Sequence, residues 1–315
     1  MTDELPVVRA ADLRVRDAEH RWLLRDLWGI ESVGFVGGAP KCAKTWLGLD
    51  MALSVASATP CLGRFAVETP GPALVYLAED ALPQVKERIV GLVTHRGLDL
   101  EAIDLHVITA PSVRLDVPKD QLRLDATVAR LRPKLLLLDP LVRLHRVDEN
   151  SSADISALLG FLRELSRRHG VAIVLVHHMS KRSRADPGQA LRGSSDLHAW
   201  GDDNAYLFRH HDHLRLLCEH RSAPAAPAID VRLVPNADGV GAHLEILGED
   251  SASPPGPPPL AQQIVAVLAA AATSLPRGAL RQRLRVNNLR LGDALQDLEA
   301  SGRIHRDAAG WSLVP

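Results

Sequence analysis

The chain has 315 residues, of which 46% are hydrophobic and 24% charged, and its formal net charge at pH 7 is −1. These values are typical of a globular protein, and the length suits one large α/β domain with a small appendage or two medium domains. Because the chain is not a bulk polycation, any contact with nucleic acid must come from local basic patches.

The three cysteines, Cys42, Cys61 and Cys218, have no paired spacing, which favours reduced thiols over a disulfide framework or a metal site. The charged N-terminal residues lack the apolar stretch of a signal peptide. No run approaches the roughly 18 apolar residues of a membrane span. We therefore expect a cytoplasmic protein with no membrane partner.

Short apolar runs alternate with longer helical patterns in the middle of the chain, which is the sequence sign of parallel βαβ units. Runs of Val, Ile and Leu predict strands buried on both faces, at 32–36, 73–78, 105–109, 134–139 and 171–177. Helices are predicted at 44–57, 82–96, 119–131 and 153–169. Four closely spaced strands are then expected to extend the sheet as hairpins, at 205–209, 213–220, 230–235 and 243–248.

A proline-rich segment, residues 250–259, separates the predicted α/β core (1–249) from a small C-terminal domain (260–315). Five prolines and a glycine in ten residues predict a semi-rigid linker. The tail then shows three helical patterns and two short strands around a turn, which is the layout of a winged helix. The predicted helices are 260–271, 277–284 and 288–301.

A glycine-rich loop between the first predicted strand and the first helix matches the P-loop pattern G-x-x-x-x-G-K-[ST], except that Ala43 replaces the last glycine. Backbone N–H groups of such a loop cradle phosphates, and the helix dipole adds attraction. Lys44 is expected to reach the β- and γ-phosphates of ATP, and Thr45 to offer its hydroxyl to Mg²⁺. The predicted ATP-binding residues are Gly38, Ala39, Pro40, Lys41, Cys42, Ala43, Lys44 and Thr45.

Acidic residues follow two of the apolar strands. Asp139 ends LLLLD, the Walker B form, in which it would hold Mg²⁺; alone it would more often be a turn or cap residue. Glu79 and Asp80 follow the second strand, where Glu79 is placed to orient or deprotonate the attacking water. The alternative is an acidic pair at the N-terminus of a helix.

Histidines occur at the end of the fifth strand and at the turn between the first two hairpin strands. His177 and His178 end the fifth strand, where a polar sensor would lie beside the γ-phosphate, although a lone histidine there is more often a core residue. His210, His211 and His213 fall in a predicted hairpin turn, and we expect them to be solvated and not to bind a metal.

These segments together resemble the RepA-type branch of RecA-like ATPases, which contains hexameric plasmid helicases and is distantly related to DnaB and KaiC. The resemblance rests on GGAPKCAKTWLGLDMALSVASATPCLGRFAVETPGPALVYLAED, LLLLDPLVRLH, VAIVLVHHMSK and LRGSSDLHAWGDDNAYLFR, and it covers roughly residues 20–235. It implies a RecA-like α/β fold with a mostly parallel sheet and a homohexameric ring. It also implies that Glu79 is catalytic, that Asp139 binds metal and that His178 senses phosphate.

In this family an arginine of one subunit reaches the γ-phosphate held by its neighbour. CEHRSAP resembles the segment that supplies it, so Arg221 is the candidate and Arg209 the second choice. Two departures, Ala43 and the single acid Asp139 before Pro140, would allow binding to persist with slower hydrolysis.

Two basic segments are candidates for nucleic-acid contact. The loop 179–195 carries Lys181, Arg182, Arg184 and Arg192 without aromatic residues, which suits a single-stranded phosphate backbone; the alternative is a solvated loop. The tail contains seven arginines against four acids, and a helix-turn-helix there would meet duplex DNA, with Arg281, Arg283, Arg285 and Arg290 as contacts. Winged helices also dock proteins, so that alternative stays open.

The sequence therefore supports two hypotheses. The first is a ring-forming ATPase or DNA helicase of a plasmid, phage or mobile element that moves along a strand. The second is an ATP-dependent regulatory switch whose winged helix binds DNA or a protein. The loop 179–195 separates them, since a motor needs it and a switch does not.

Overall fold

The structure is a computed structural model, and the chain divides into two compact units, Met1–Leu247 and Gly248–Pro315. It describes residues 7–12, 21–149, 151–178, 195–248, 260–271, 273–284, 288–300, 302–307 and 310–313. Within these ranges, no helix is both long and apolar enough to span a bilayer.

The first unit contains eleven strands and five helices within its described residues. The strands are β1 (Trp22–Leu24), β2 (Trp28–Gly29), β3 (Val33–Gly38), β4 (Ala73–Leu77), β5 (Leu105–Val107), β6 (Leu135–Asp139), β7 (Ala172–His178), β8 (Asp203–His210), β9 (His213–His220), β10 (Ile229–Pro235) and β11 (Ala242–Ile246). The helices are α1 (Lys44–Ser57), α2 (Leu82–His95), α3 (Pro118–Leu131), α4 (Ser152–His169) and α5 (Ser195–Trp200).

Nine of these strands form one sheet in the order β11-β10-β9-β8-β3-β7-β6-β4-β5. The strands from β8 to β5 pair in parallel, and β8 to β11 form an antiparallel meander. The expected α/β core with a mostly parallel sheet is confirmed. The sequence reading missed the small β1–β2 hairpin and α5, whose short runs carry no clear periodicity.

The central strands are buried on both faces because helices cover each side of the sheet, as parallel sheets require. Helices α1 and α2 contact each other and cover one face of the sheet, where they pack against apolar side chains of β4, β6 and β7. Helices α3 and α4 cover the other face. Gly48 lets α1 approach β6 closely, since a Cβ at this position would lie 2.7 Å from Leu137 Cδ1.

The second unit contains α6 (Leu260–Ala269), α7 (Arg277–Leu284) and α8 (Asn288–Ala300), followed by the antiparallel strands β12 (Ile304–Arg306) and β13 (Trp311–Leu313). An isolated antiparallel bridge joins Leu275, between α6 and α7, to Trp311 on β13. Leucine and isoleucine side chains of the three helices pack with Ile304 and Trp311 into a core that belongs to this unit.

A buried ion pair ties α1 to the end of α2. Asp50 on α1 lies 2.5 Å from Nη2 of Arg96, and its other oxygen accepts from the backbone N–H of Leu62 at 2.7 Å. Arg96 also donates to the hydroxyls of Ser54 and Thr59. Because the side chains of Asp50 and Arg96 are only 5% and 12% exposed, removing one charge leaves the other desolvated and unpaired.

We predict that Asp50→Ala lowers the free energy of unfolding by about 3–5 kcal/mol, the usual cost of breaking a buried pair from one side. The matched control is Glu164→Ala, which removes an exposed i,i+4 partner of Arg168 and is expected to cost less than about 1 kcal/mol. Urea denaturation of both variants measures the difference. Equal, small losses would show that Arg96 is solvated and that this pair does not hold α1 to α2.

Candidate nucleotide-binding site

The loop between β3 and α1 has the backbone of an anion-binding nest. Lys41 and Ala43 adopt left-handed conformations, with φ of 61° and 56°, on either side of Cys42. Alternation of this kind points successive N–H groups toward one concave side, where an anion is held. Ala43 is also the N-cap of α1, so the positive end of the helix dipole faces the same space. The loop therefore has the phosphate-binding form despite lacking its last glycine.

Lys44, the first residue of α1, is buried and folds back onto this loop. Its Nζ donates to the carbonyl oxygen of Ala39 at 2.9 Å. Burial lowers the pKa of Lys44, while the nearby Cys42, Asp139 and Glu79 oppose that shift. A desolvated ammonium with one carbonyl partner is a strong site for a phosphate oxygen.

Asp139 ends β6 inside the same cavity. Burial raises its pKa to about 6, and the hydroxyl of Thr45 and the charge of Lys44 act in the opposite direction. Its Oδ2 is buried and has no hydrogen-bond partner among the described residues. A carboxylate oxygen of this kind beside a threonine hydroxyl is a donor set that Mg²⁺ prefers, so Thr45 and Asp139 fit the expected metal.

Glu79 and Asp80 follow β4, next to β6, and each has a different arginine partner. Glu79 Oε1 accepts from Arg143 Nε at 2.8 Å, with both side chains about half exposed. Asp80 lies 3.1 Å from Arg88 on α2. Both acids directly precede Ala81, the N-cap of α2, so the alternative of an acidic pair at a helix N-terminus stays open.

His178 reaches the site from β7, because its Cα pairs with that of Gly38 on β3. His177, one residue earlier, points to the opposite face of the sheet, where it is buried against Phe35. Alternation along the strand thus divides the two histidines, and His178 is the one that lines the cavity.

One cavity of about 390 Å³ is lined by most of the predicted P-loop residues, together with Glu79, Asp139 and His178. The lining also includes side chains that the sequence did not assign to the site, among them Trp46, Arg88 and Leu233. The guanidinium of Arg88 lies 5.2 Å from the Trp46 ring centroid, and Leu233 on β10 is 38% exposed. In the sequence, Trp46 was marked only by its position directly after Lys44 and Thr45, and Arg88 and Leu233 carried no signal.

The two candidate arginine fingers lie at opposite ends of the sheet. Arg209, near the end of β8, donates to the carbonyl oxygen of Lys41 at 3.1 Å and so touches its own P-loop. Arg221 follows β9 and pairs with Asp202 at 3.0 Å, beside the start of β3. Since β3 spans six residues, its two ends are about 17 Å apart. Arg221 therefore lies far from the phosphate loop of its own chain.

The predicted nucleic-acid residues fall mostly beyond what the structure describes. Arg281 and Arg283 are exposed on α7. Outside the described residues lie Lys181, Arg182, Arg184, Arg192, Arg285 and the side chain of Arg290.

We predict that Ala43→Gly raises the free energy of unfolding by roughly 0.5–1 kcal/mol, because glycine removes a left-handed strain of about 1–2 kcal/mol but has a more disordered unfolded state. The matched control is Ala58→Gly, at an exposed residue with φ of 57° at the end of α1. Urea denaturation should show similar gains for both variants. ATP affinity should be unchanged in both, since the loop already has its binding conformation.

A gain in ATP affinity for Ala43→Gly, with no gain in stability, would contradict this. It would mean that the loop adopts the left-handed form only when phosphate binds.

A family model described as AAA domain (AAA_25) matches residues 2–184, which is more than half of the chain. Among solved structures, the crystal structure of the RadB recombinase is similar with a TM-score of 0.52 and 18% sequence identity. That similarity covers 70% of this chain and 93% of RadB, and it concerns the fold. The chain therefore belongs to the AAA domain family, and its core is a RecA-like P-loop ATPase fold.

Proposed function

We propose that this protein is a ring-forming ATPase that moves along nucleic acid, a helicase of the RepA-like branch. The observation that carries the proposal is the single cavity that joins the phosphate nest, Lys44 and Asp139 to His178. His178 is the last described residue before the basic segment 179–194, so the phosphate site and that segment are adjacent in the chain. The three free, buried cysteines support a cytoplasmic location.

Binding of ATP uses groups that the loop already presents. The nest N–H groups of residues 41–45 hold phosphate oxygens, and Lys44 exchanges the carbonyl of Ala39 for the β- and γ-phosphates. Thr45 and Asp139 would hold Mg²⁺, which supplies positive charge against the phosphates. Trp46, Leu233 and Arg88, which line the same cavity, offer apolar and cationic surface for the base.

Hydrolysis joins a water oxygen to the γ-phosphorus and breaks the bond to the β–γ bridging oxygen, giving ADP and phosphate. Glu79 is the group placed to orient this water and to accept its proton. Its ion pair with Arg143 is half exposed and is therefore worth less than about 1 kcal/mol. Glu79 can leave Arg143 at little cost when nucleotide fills the site.

A neighbouring subunit completes the site in this proposal. Arg221 cannot serve its own P-loop, because β3 separates them by about 17 Å. It is half exposed and is held by Asp202 and the carbonyl oxygen of Ala199, so it is available at the surface of its unit. This placement supports action in trans and a ring, with six subunits expected from the resemblance.

The second unit supports a nucleic-acid role through its order of elements. Three helices followed by a hairpin, with the bridge from Leu275 to β13, match the plan of a winged helix. In that plan α8 would enter the major groove. The exposed Arg281 and Arg283 on α7 would meet phosphates, and duplex DNA is the expected ligand of this unit.

We predict that single-stranded DNA stimulates ATP hydrolysis by the wild-type protein. Lys44→Ala should abolish nucleotide binding, and Glu79→Gln should bind ATP but hydrolyse it on the order of 10²–10⁴ more slowly. The matched control is Glu101→Gln, an exposed acid in a short 3₁₀ helix after α2, which should behave as wild type. Phosphate release with and without DNA, together with binding of a fluorescent ATP analogue, measures both effects.

The motor hypothesis would be rejected in favour of a regulatory switch by two results together. Single-stranded DNA would leave the hydrolysis rate of the wild-type protein unchanged, and the protein would bind duplex DNA only in the presence of ATP. Normal turnover by Lys44→Ala would contradict the phosphate site itself.

We predict that Arg221→Ala hydrolyses ATP poorly and that mixing it with Lys44→Ala partly restores activity. In a mixed ring, the intact P-loop of one variant faces the intact Arg221 of the other. The matched control is Arg209→Ala. Because Arg209 contacts Lys41 of its own chain, mixing this variant with Lys44→Ala should not restore activity. Steady-state hydrolysis over a range of mixing ratios measures rescue, with ring assembly checked by light scattering.

If assembled mixed rings show no rescue, Arg221 acts within its own chain and not on a neighbouring subunit. The melting temperature of Arg221→Ala must match that of wild type, because loss of the Asp202 pair would otherwise explain a low rate.

A further inference from the structure

The turn between β8 and β9 brings together three side chains that commonly bind metals. His210 and His213 are directly paired across the hairpin, and Asp230 comes from the adjacent strand β10. His210 Nδ1 lies 3.2 Å from His213 Nε2, which in turn lies 3.4 Å from Asp230 Oδ1. All three ligand atoms lie within 4.8 Å of one another.

The structure corrects the expectation of solvation for His213. His211 is exposed and His210 half-buried, but His213 is only 4% exposed. The sequence could not show this, because Asp230, which lies 3.4 Å from His213, belongs to β10 and comes 17 residues later in the chain.

We propose that His210, His213 and Asp230 form a binding site for one divalent transition-metal ion, with zinc as the best fit. Ligands bound to zinc at 2.0–2.1 Å in a tetrahedron are about 3.3 Å apart, close to both short distances here. Two imidazoles and one carboxylate also suit zinc, cobalt and nickel better than Mg²⁺ or Ca²⁺. Water takes the fourth position.

A second layer of contacts orients the ligands. Asp212 Oδ1 lies 3.1 Å from His213 Nδ1, which leaves Nε2 facing the cluster. Carboxylates commonly fix metal-binding imidazoles in this way. Arg215 holds both oxygens of Asp230, at 2.8 and 3.1 Å, and Arg232 lies 3.3 Å from Asp212.

The two arginines also set the expected strength of the site. Arg215 partly neutralises the Asp230 carboxylate that faces the ion, so the site should be weaker than a thiolate site and should bind zinc reversibly. The ion would stiffen the turn beside Arg209, whose guanidinium contacts the P-loop at Lys41. The proposed metal is thus separate from Mg²⁺ at the nucleotide site but close to it along β8.

The test uses the full-length protein without a histidine tag, stripped with chelator and titrated with Co²⁺. Wild type should bind one ion with the visible absorption of tetrahedral cobalt, and Zn²⁺ should displace it. His210→Asn should weaken binding at least tenfold, while His211→Asn, in the same turn but outside the cluster, should bind as wild type. Asp139→Asn should also bind as wild type, which separates this site from the nucleotide cavity.

Failure of wild type to bind Co²⁺ stoichiometrically would overturn the proposal, as would equal binding by His210→Asn. X-ray absorption of zinc-loaded wild type adds a measurement that needs no variant. It should show two imidazoles with the remaining ligands oxygen. A sulfur ligand would assign the ion to a cysteine and reject this site.

Discussion

The pairing of β8 along β3 is the constraint on which the rest of the site depends. At Gly34 the two strands are so close that a Cβ would lie 1.6 Å from the carbonyl oxygen of Asp203. Asn204 accepts from the N–H of Phe35, and Asp203 from that of Gly29, so buried side chains fix the register. Because β3 carries the P-loop at its end, this register decides which residues of β8 reach the phosphates.

Much of the core followed from the sequence because its signals are local. Apolar runs and helical periods located β3 to β11 and α1 to α4 within a few residues, and the strand–loop–helix context identified Lys44. What the sequence did not show depends on long-range packing. Three contacts join residues between 15 and 65 positions apart: Asp50 with Arg96, Glu79 with Arg143, and His213 with Asp230. No periodicity in the sequence encodes such contacts.

The nucleotide site is built at a cost to stability. Burial raises the pKa of Asp139 to about 6, and ionising it in the folded protein above that pH costs about 3 kcal/mol. Because the pKa of Asp139 is higher in the folded than in the unfolded protein, this loss of stability grows as the pH rises from about 4 to about 6. Below about pH 4 it is absent, since the carboxyl is protonated in both states. Lys41 and Ala43 add left-handed strain. Cations and phosphates that bind only the folded state offset these costs.

The geometry of the sheet also separates the two candidate arginine fingers. Parallel strands bring Gly38, His178 and Arg209 to one edge, whereas the antiparallel return of β9 carries Arg221 to the other. Arg209 therefore lies at the phosphate loop of its own chain, whereas in the proposed ring Arg221 would act on the phosphates of a neighbour. Hydrolysis that requires both arginines would occur only when two subunits are correctly placed. In the proposed ring, such dependence would tie each chemical step to assembly.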